Sequence, residues 1–202
     1  VAAAGEARVR QVQEPIDALG AGEHLERAVA GLVRVARVVG VRVVEVREAA
    51  IERDRGDDDV ACGLDASGGL SCVGYAYDGL LGDGDLDPHY VDVLTPVGVD
   101  HYVDLGVGDG HACAVRDDGR LLCWGRMPMS NAVAIPTPVD AATDWASVAV
   151  GEGHTCAIKT SGTLFCWGYD WSGQLGQGVQ GDAMTPLQVG TDSDWRRVVA
   201  GE

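Results

Sequence analysis

The chain has 202 residues, 31 Asp and Glu against 15 Lys and Arg, and a formal net charge of −16. That balance argues against a nucleic-acid or anionic-membrane surface. No apolar run reaches the ~18 residues a membrane helix needs; the longest candidate, around Leu32 to Val46, is broken by Arg34, Arg37 and Arg42.

Residues 1–55 differ in chemistry from residues 56–202. They hold nine Arg and nine Asp or Glu and are net neutral, and every Cys, Trp, Tyr and Phe lies beyond residue 56. The chain opens at Val1 with neither an initiator Met nor a signal-peptide pattern, which fits a removed leader or a fragment. Within this segment, apolar residues from Glu23 (Leu25, Val29, Leu32, Val33, Ala36) recur at near-helical spacing, whereas "GVRVVEVR" from Gly40 reads as a strand. A helical stalk or linker, a degenerate first repeat, and a stretch out of frame with an ancestral gene all remain open. With no aromatic anchor, residues 1–55 are expected not to pack into the rest of the chain.

Residues 56–202 repeat. "HYVDLGVGD" at 101–109, "DWASVAVGE" at 144–152 and "DWRRVVAGE" at 194–202 share one template. Each unit continues through a Gly-rich turn, a cysteine, a hairpin, a second cysteine and a closing Thr-Pro step at Thr95-Pro96, Thr137-Pro138 or Thr185-Pro186. The units span about 57–100, 101–143 and 144–193, and a fourth begins at 194–202. Short strands, Gly-rich turns and this period predict an all-β chain of β-propeller blades.

The segment "VAVGEGHTCAIKTSGTLFCWGYDWSGQLGQG" resembles the repeat of the regulator-of-chromosome-condensation family, in particular its bacterial, cysteine-containing branch, and the resemblance covers about residues 57–202. It implies four-stranded blades around an axis, about seven to a closed ring. Three units are then an incomplete ring, expected to continue in a longer chain or to self-associate. Two departures stand out. The second unit has "RMPMSNAVAIPTP" in place of the Gly-x-Leu-Gly segment, and the first has Val73 where Trp is expected and lacks the Gly-His step.

The cysteine spacing has a geometric reading. Thr160-Ser161-Gly162 suits a three-residue hairpin loop with glycine in the left-handed conformation. Counting outward sets Cys156 opposite Cys166; the same count sets Cys113 opposite Cys123 and Cys62 opposite Cys72. Opposed strand residues approach to disulfide distance. Three intra-hairpin disulfides are therefore expected, each contributing about 2–3 kcal/mol, in an oxidising compartment: secreted, periplasmic or cell-surface. The alternatives are a Cys₂His zinc set built with His111 or His154, and buried reduced thiols. Zinc sites usually show closely spaced Cys pairs, which this chain lacks, so the two histidines read as turn residues packed at the inner end of a blade.

Other candidates are weaker. Asp83, Asp85 and Asp87 alternate like the start of a calcium loop, but Pro88 and Leu94 stand where that loop needs Gly and Glu, so a solvated turn is the reading adopted. Trp124 with Trp167, and Trp145 with Trp195, repeat between units and read as inter-blade packing. Trp171 does not repeat and lies in a variable segment. The step from second cysteine to Thr-Pro is 23, 14 and 19 residues in the three units, and variable loops on a repeated frame are where function concentrates. Tyr77 and Trp171 are the candidate partner contacts. No nucleophile elbow, phosphate loop or metalloprotease helix is present, and no cofactor motif emerges. The expectation is a non-enzymatic protein-binding scaffold with an unidentified protein partner, rather than nucleic acid or an inserted membrane. A propeller-type inhibitor of a secreted enzyme and a carbohydrate-binding or adhesion module are the other readings. Guanine-nucleotide exchange, the role of eukaryotic members of the family, matches no residue here.

Overall fold

The structure is a computed structural model and describes residues 41–42 and 59–201. It is all-β there, with the elements β1 (Val41–Arg42), β2 (Asp59–Asp65), β3 (Gly69–Ala76), β4 (His89–Val107), β5 (His111–Arg116), β6 (Leu121–Gly125), β7 (Val133–Pro138), β8 (Trp145–Val150), β9 (His154–Lys159), β10 (Leu164–Gly168) and β11 (Ala183–Gln188). All pairings are antiparallel, in the orders β1-β2-β3-β4-β5-β6-β7 and β11-β10-β9-β8.

The first order contains two blades because β4 serves both. Its residues from His89 to His101 pair with β3 as the outer strand of the first blade. Its residues from Tyr102 to Val107 pair with β5 as the inner strand of the second. The third blade is β8 to β11. Residues 194–201 carry no assigned strand, yet the Trp195 N–H donates to the Gly162 carbonyl at 3.1 Å, as Trp145 N–H donates to Gly119 at 3.0 Å and Tyr102 N–H to Gly68 at 2.8 Å. Each aromatic residue thus ties the start of one unit to the hairpin turn of the preceding one.

The composition of residues 1–55 predicts a segment that stays apart from the repeats. At Val41–Arg42 it does not: Val41 pairs with Asp65 and Arg42 with Leu64. This is the inner-strand position that Tyr102 takes opposite Arg116 and Trp145 opposite Lys159. The helical reading from Glu23 falls outside the described residues.

A blade between two neighbours must be apolar on both faces, and the period-2 alternation of its strands supplies both. From the second blade, Ala112, Ala114, Leu122 and Trp124 join the cluster shared with Leu64, Leu70, Leu80 and Leu81 of the first. The alternate residues Cys113, Val115, Leu121 and Cys123 join the cluster shared with Trp145, Ala157 and Trp167 of the third. Every residue of β6 is buried; fully burying a large apolar side chain is worth about 1.5–3 kcal/mol. The outer strands are edges, and each carries the proline of its Thr-Pro step (Pro96, Pro138, Pro186). A residue without an N–H suits an unpaired edge and blunts further strand addition.

At the inner strands the backbones close up. A Cβ on Gly108 would fall 2.2 Å from the Gly151 carbonyl oxygen, and one on Gly151 would fall 2.6 Å from that of Gly201. Only glycine permits that approach, which accounts for the repeated Val-Gly-acid and Ala-Gly-acid steps.

Candidate partner-binding face and blade seams

The hairpin count holds residue for residue. Cys62 pairs with Cys72, Cys113 with Cys123 and Cys156 with Cys166. All three pairs are disulfides with Cα–Cα distances of 4.0–4.1 Å. The turn glycines Gly68, Gly119 and Gly162 have φ of 90°, 82° and 80°. The six sulfurs are bonded to one another, so His111 and His154 have no thiolate beside them with which to form the Cys₂His set.

Trp171 and Tyr77 occupy corresponding places, two residues beyond the tyrosines Tyr169 and Tyr75 that come after the Trp-Gly or Val-Gly step. Trp171 is 68% exposed and stacks on Tyr169 with ring centroids 4.6 Å apart and planes at 19°. Tyr77 is half-buried and meets Tyr75 edge-on at 5.0 Å. The second unit has Arg126 and Pro128 at these places. Arg126 and Tyr169 play the same packing role, each lying over the glycine that precedes the histidine: a Cβ on Gly110 would fall 3.2 Å from Arg126 Nε, and one on Gly153 would fall 2.8 Å from Tyr169 Cδ2. Arg126 also comes within 3.9 Å of Asp78.

The loop bearing Trp171 is held by a residue that sequence reasoning passed over. Asp170 is buried. Its carboxylate accepts the Leu175 N–H at 2.9 Å and the Gly181 N–H at 3.0 Å, and its own N–H donates to Asp182 at 2.8 Å. Leu175 beneath it is fully buried. Trp171 is therefore an exposed ring on a pinned loop, ordered before any partner arrives.

The segment 83–89 forms a hydrogen-bonded turn. Asp83 Oδ1 accepts the Asp85 N–H, and Asp85 Oδ1 accepts the Asp87 N–H. His89 sits 2.8 Å from Asp83 Oδ2 through Nε2 and 2.8 Å from the Asp87 carbonyl through Nδ1. The Asp87 carbonyl and then Asp83 hold His89 above its ordinary pKa.

Among the described residues, side-chain hydrogen bonds also connect one blade to the next. Trp124 Nε1 donates to the Leu80 carbonyl at 2.9 Å, joining the first and second blades. Asp104 Oδ2 accepts the Val148 N–H at 2.9 Å, and His111 Nε2 lies 2.7 Å from Thr155 Oγ1, both joining the second and third. The corresponding tryptophan of the third unit, Trp167, lies in the cluster between the second and third blades. Met127, from the short loop of the second unit, packs against the same cluster. Burial above all, then the neighbouring His154 and Arg126, takes His111 down to about 4. Burial also lowers His154, with Asp170 opposing it.

Residues 102–129 and 145–177 match the model of the regulator of chromosome condensation (RCC1) repeat. No curated protein matches the chain. Among solved structures, human WBSCR16 is similar with a TM-score of 0.60 and 24% identity over 72% of this chain and 40% of its own. Yeast RCC1 (Prp20), in a structure with Kap60 bound, is similar with a TM-score of 0.59 and 21% identity over 65% of this chain and 35% of its own. Prp20p from Saccharomyces cerevisiae, studied for its binding to Gsp1p and histones, gives a TM-score of 0.58 at 21% identity over 65% of this chain and 36% of its own. The likeness is one of fold, and the chain spans 40% or less of the length of each of these proteins.

Proposed function

We propose that this chain, built of RCC1-type repeats, is a non-enzymatic protein-binding scaffold of an oxidising compartment, secreted or at the cell surface. Its partner docks on the loops that carry Tyr77 and Trp171. The observation that carries this reading is the exposed, stacked Trp171 on a loop pinned by buried Asp170. A large rigid aromatic surface that need not be ordered on binding is what binding hot spots are made of. A yeast protein of the same fold has been solved with Kap60 bound and studied for binding to Gsp1p and histones, so a propeller of this kind can hold proteins. Three disulfides favour the oxidising compartment.

The test is affinity capture from the culture medium and envelope fraction of the source cells, using the chain and its Trp171→Ala, Tyr77→Ala and double variants. One protein should be retained stoichiometrically, and the double variant should weaken its affinity by about tenfold or more with an unchanged circular dichroism spectrum. An unaltered affinity would remove both aromatics from the contact.

A further inference from the structure

We propose that His111 and Thr155 form an acid-releasable latch between the second and third blades, so that mild acid opens this seam while the seam between the first and second blades holds.

The latch stands on geometry. His111 is wholly buried, and its Nε2 meets Thr155 Oγ1 across the seam at 2.7 Å. Its Nδ1 is buried with no hydrogen-bond partner. A neutral imidazole tolerates this place, because only one ring nitrogen carries a proton and the threonine hydroxyl can serve as donor or acceptor. A charged imidazole has two N–H groups, and here the second points at nothing that accepts. The charged or titratable groups that act on it are His154 from β9 and Arg126 from the end of β6, both cations when charged. Asp109 and Glu152, in the turns leading to the two histidines, are exposed. Asp104 lies in the same seam but accepts the Val148 N–H, and Asp170 acts on His154. Protonation therefore places an uncompensated charge between two blades, and burying such a charge is costly.

The adjoining seam provides an internal contrast. In the register of the hairpins, Val60 and Ala112 hold the places of His111 and Thr155; Ala112 belongs to the apolar cluster joining the first two blades and Val60 packs against it. The polar tie there, Trp124 to the Leu80 carbonyl, does not titrate. His101 is exposed and meets the Ser67 carbonyl through Nδ1 at 2.9 Å.

His111 is held low in the folded protein, so the opened state binds the extra proton and stability falls as pH drops below the ordinary histidine value. Between pH 7.5 and pH 5.0, where most carboxylates remain ionised, the opening constant of this seam should rise roughly 25-fold for a pKa near 4.

Residue-resolved amide exchange, corrected for intrinsic rate, reads each seam separately. The Trp145 and Val148 amides bond across the second seam, to Gly119 and Asp104. Those of Tyr102 and Gly84 bond across the first, to Gly68 and Ala134. At pH 5.0 the former pair should lose protection by about that factor and the latter should not. The variant H111V/T155A, which copies the Val60 and Ala112 pair, should abolish the loss. Equal loss at both seams, or loss persisting in this variant, would overturn the proposal. Should the double variant fail to fold, His111→Gln removes the titration while keeping a polar contact to Thr155. Independently, a His111 ring that titrates at the ordinary value with the seam closed, monitored by NMR in the unmodified chain, overturns it as well.

Discussion

Replacing Gly119 by alanine tests how tightly one unit is clamped to the next. Gly119 has φ of 82°, and a Cβ there would sit 2.2 Å from the Thr143 carbonyl oxygen and 2.7 Å from its carbon. Thr143 leads into Trp145, whose N–H donates to the Gly119 carbonyl at 3.0 Å. An added methyl must push these two backbones apart by about 1 Å, which breaks that bond and unseats buried Trp145. The left-handed conformation costs an alanine about 1 kcal/mol, the lost hydrogen bond about 1 kcal/mol, and the disturbed packing about 1–3 kcal/mol. The sum is about 3–5 kcal/mol. Gly98 is the control: its φ is 67°, but nothing lies within 4 Å of a Cβ, so Gly98→Ala should cost only about 1 kcal/mol. The unfolded-state entropy gain of alanine over glycine is common to both and cancels. Urea unfolding monitored by tryptophan fluorescence and near-ultraviolet circular dichroism measures the difference. Equal midpoints and slopes for the two variants would refute the idea that steric closure at the hairpin turn clamps the blades. Gly162→Ala, with its Cβ 2.3 Å from the Ser193 carbonyl oxygen, should behave like Gly119→Ala.

Non-reducing peptide mapping should recover the links Cys62–Cys72, Cys113–Cys123 and Cys156–Cys166; each spans a sequence separation of 10, and opening one by paired Cys→Ala replacement should cost about 3 kcal/mol in denaturant titration. Trp124→Phe leaves the Leu80 carbonyl without its donor and should lower stability by about 1–2 kcal/mol, whereas Trp171→Ala, at an exposed ring, should leave the unfolding midpoint unchanged within about 0.5 kcal/mol. Asp170→Ala strands the Leu175 and Gly181 N–H groups, so amide exchange at residues 171–181 should accelerate while the hairpins of the other units keep their protection; protection retained in that loop would show that Asp170 does not pin it.

What the sequence by itself determined is local. A three-residue loop ending in a left-handed glycine sets the register of its hairpin, and a period of two then decides which residues oppose one another. The three cysteine pairs come from that arithmetic, and so does the two-faced character of β6, where Leu122 and Trp124 turn one way and Leu121 and Cys123 the other. Trp171 was legible as a candidate contact because, unlike the other four tryptophans, it has no tryptophan counterpart in another unit and lies in a segment of variable length. Tertiary structure decided what depends on how units more than 40 residues apart are stacked. His111 reaches Thr155, Trp124 reaches Leu80 and Val148 reaches Asp104 only because consecutive blades are superposed with a fixed offset. No periodicity within a unit reports that offset. The double duty of β4, the buried Asp170 beneath the Trp171 loop and the pairing of Val41 with Asp65 were equally out of reach. In each case the partner lies across a seam or a loop whose closure is governed by packing. A hairpin brings its partners together within a dozen residues of chain, so their identities suffice; a seam brings together whole faces, and its partners are known only once those faces have met.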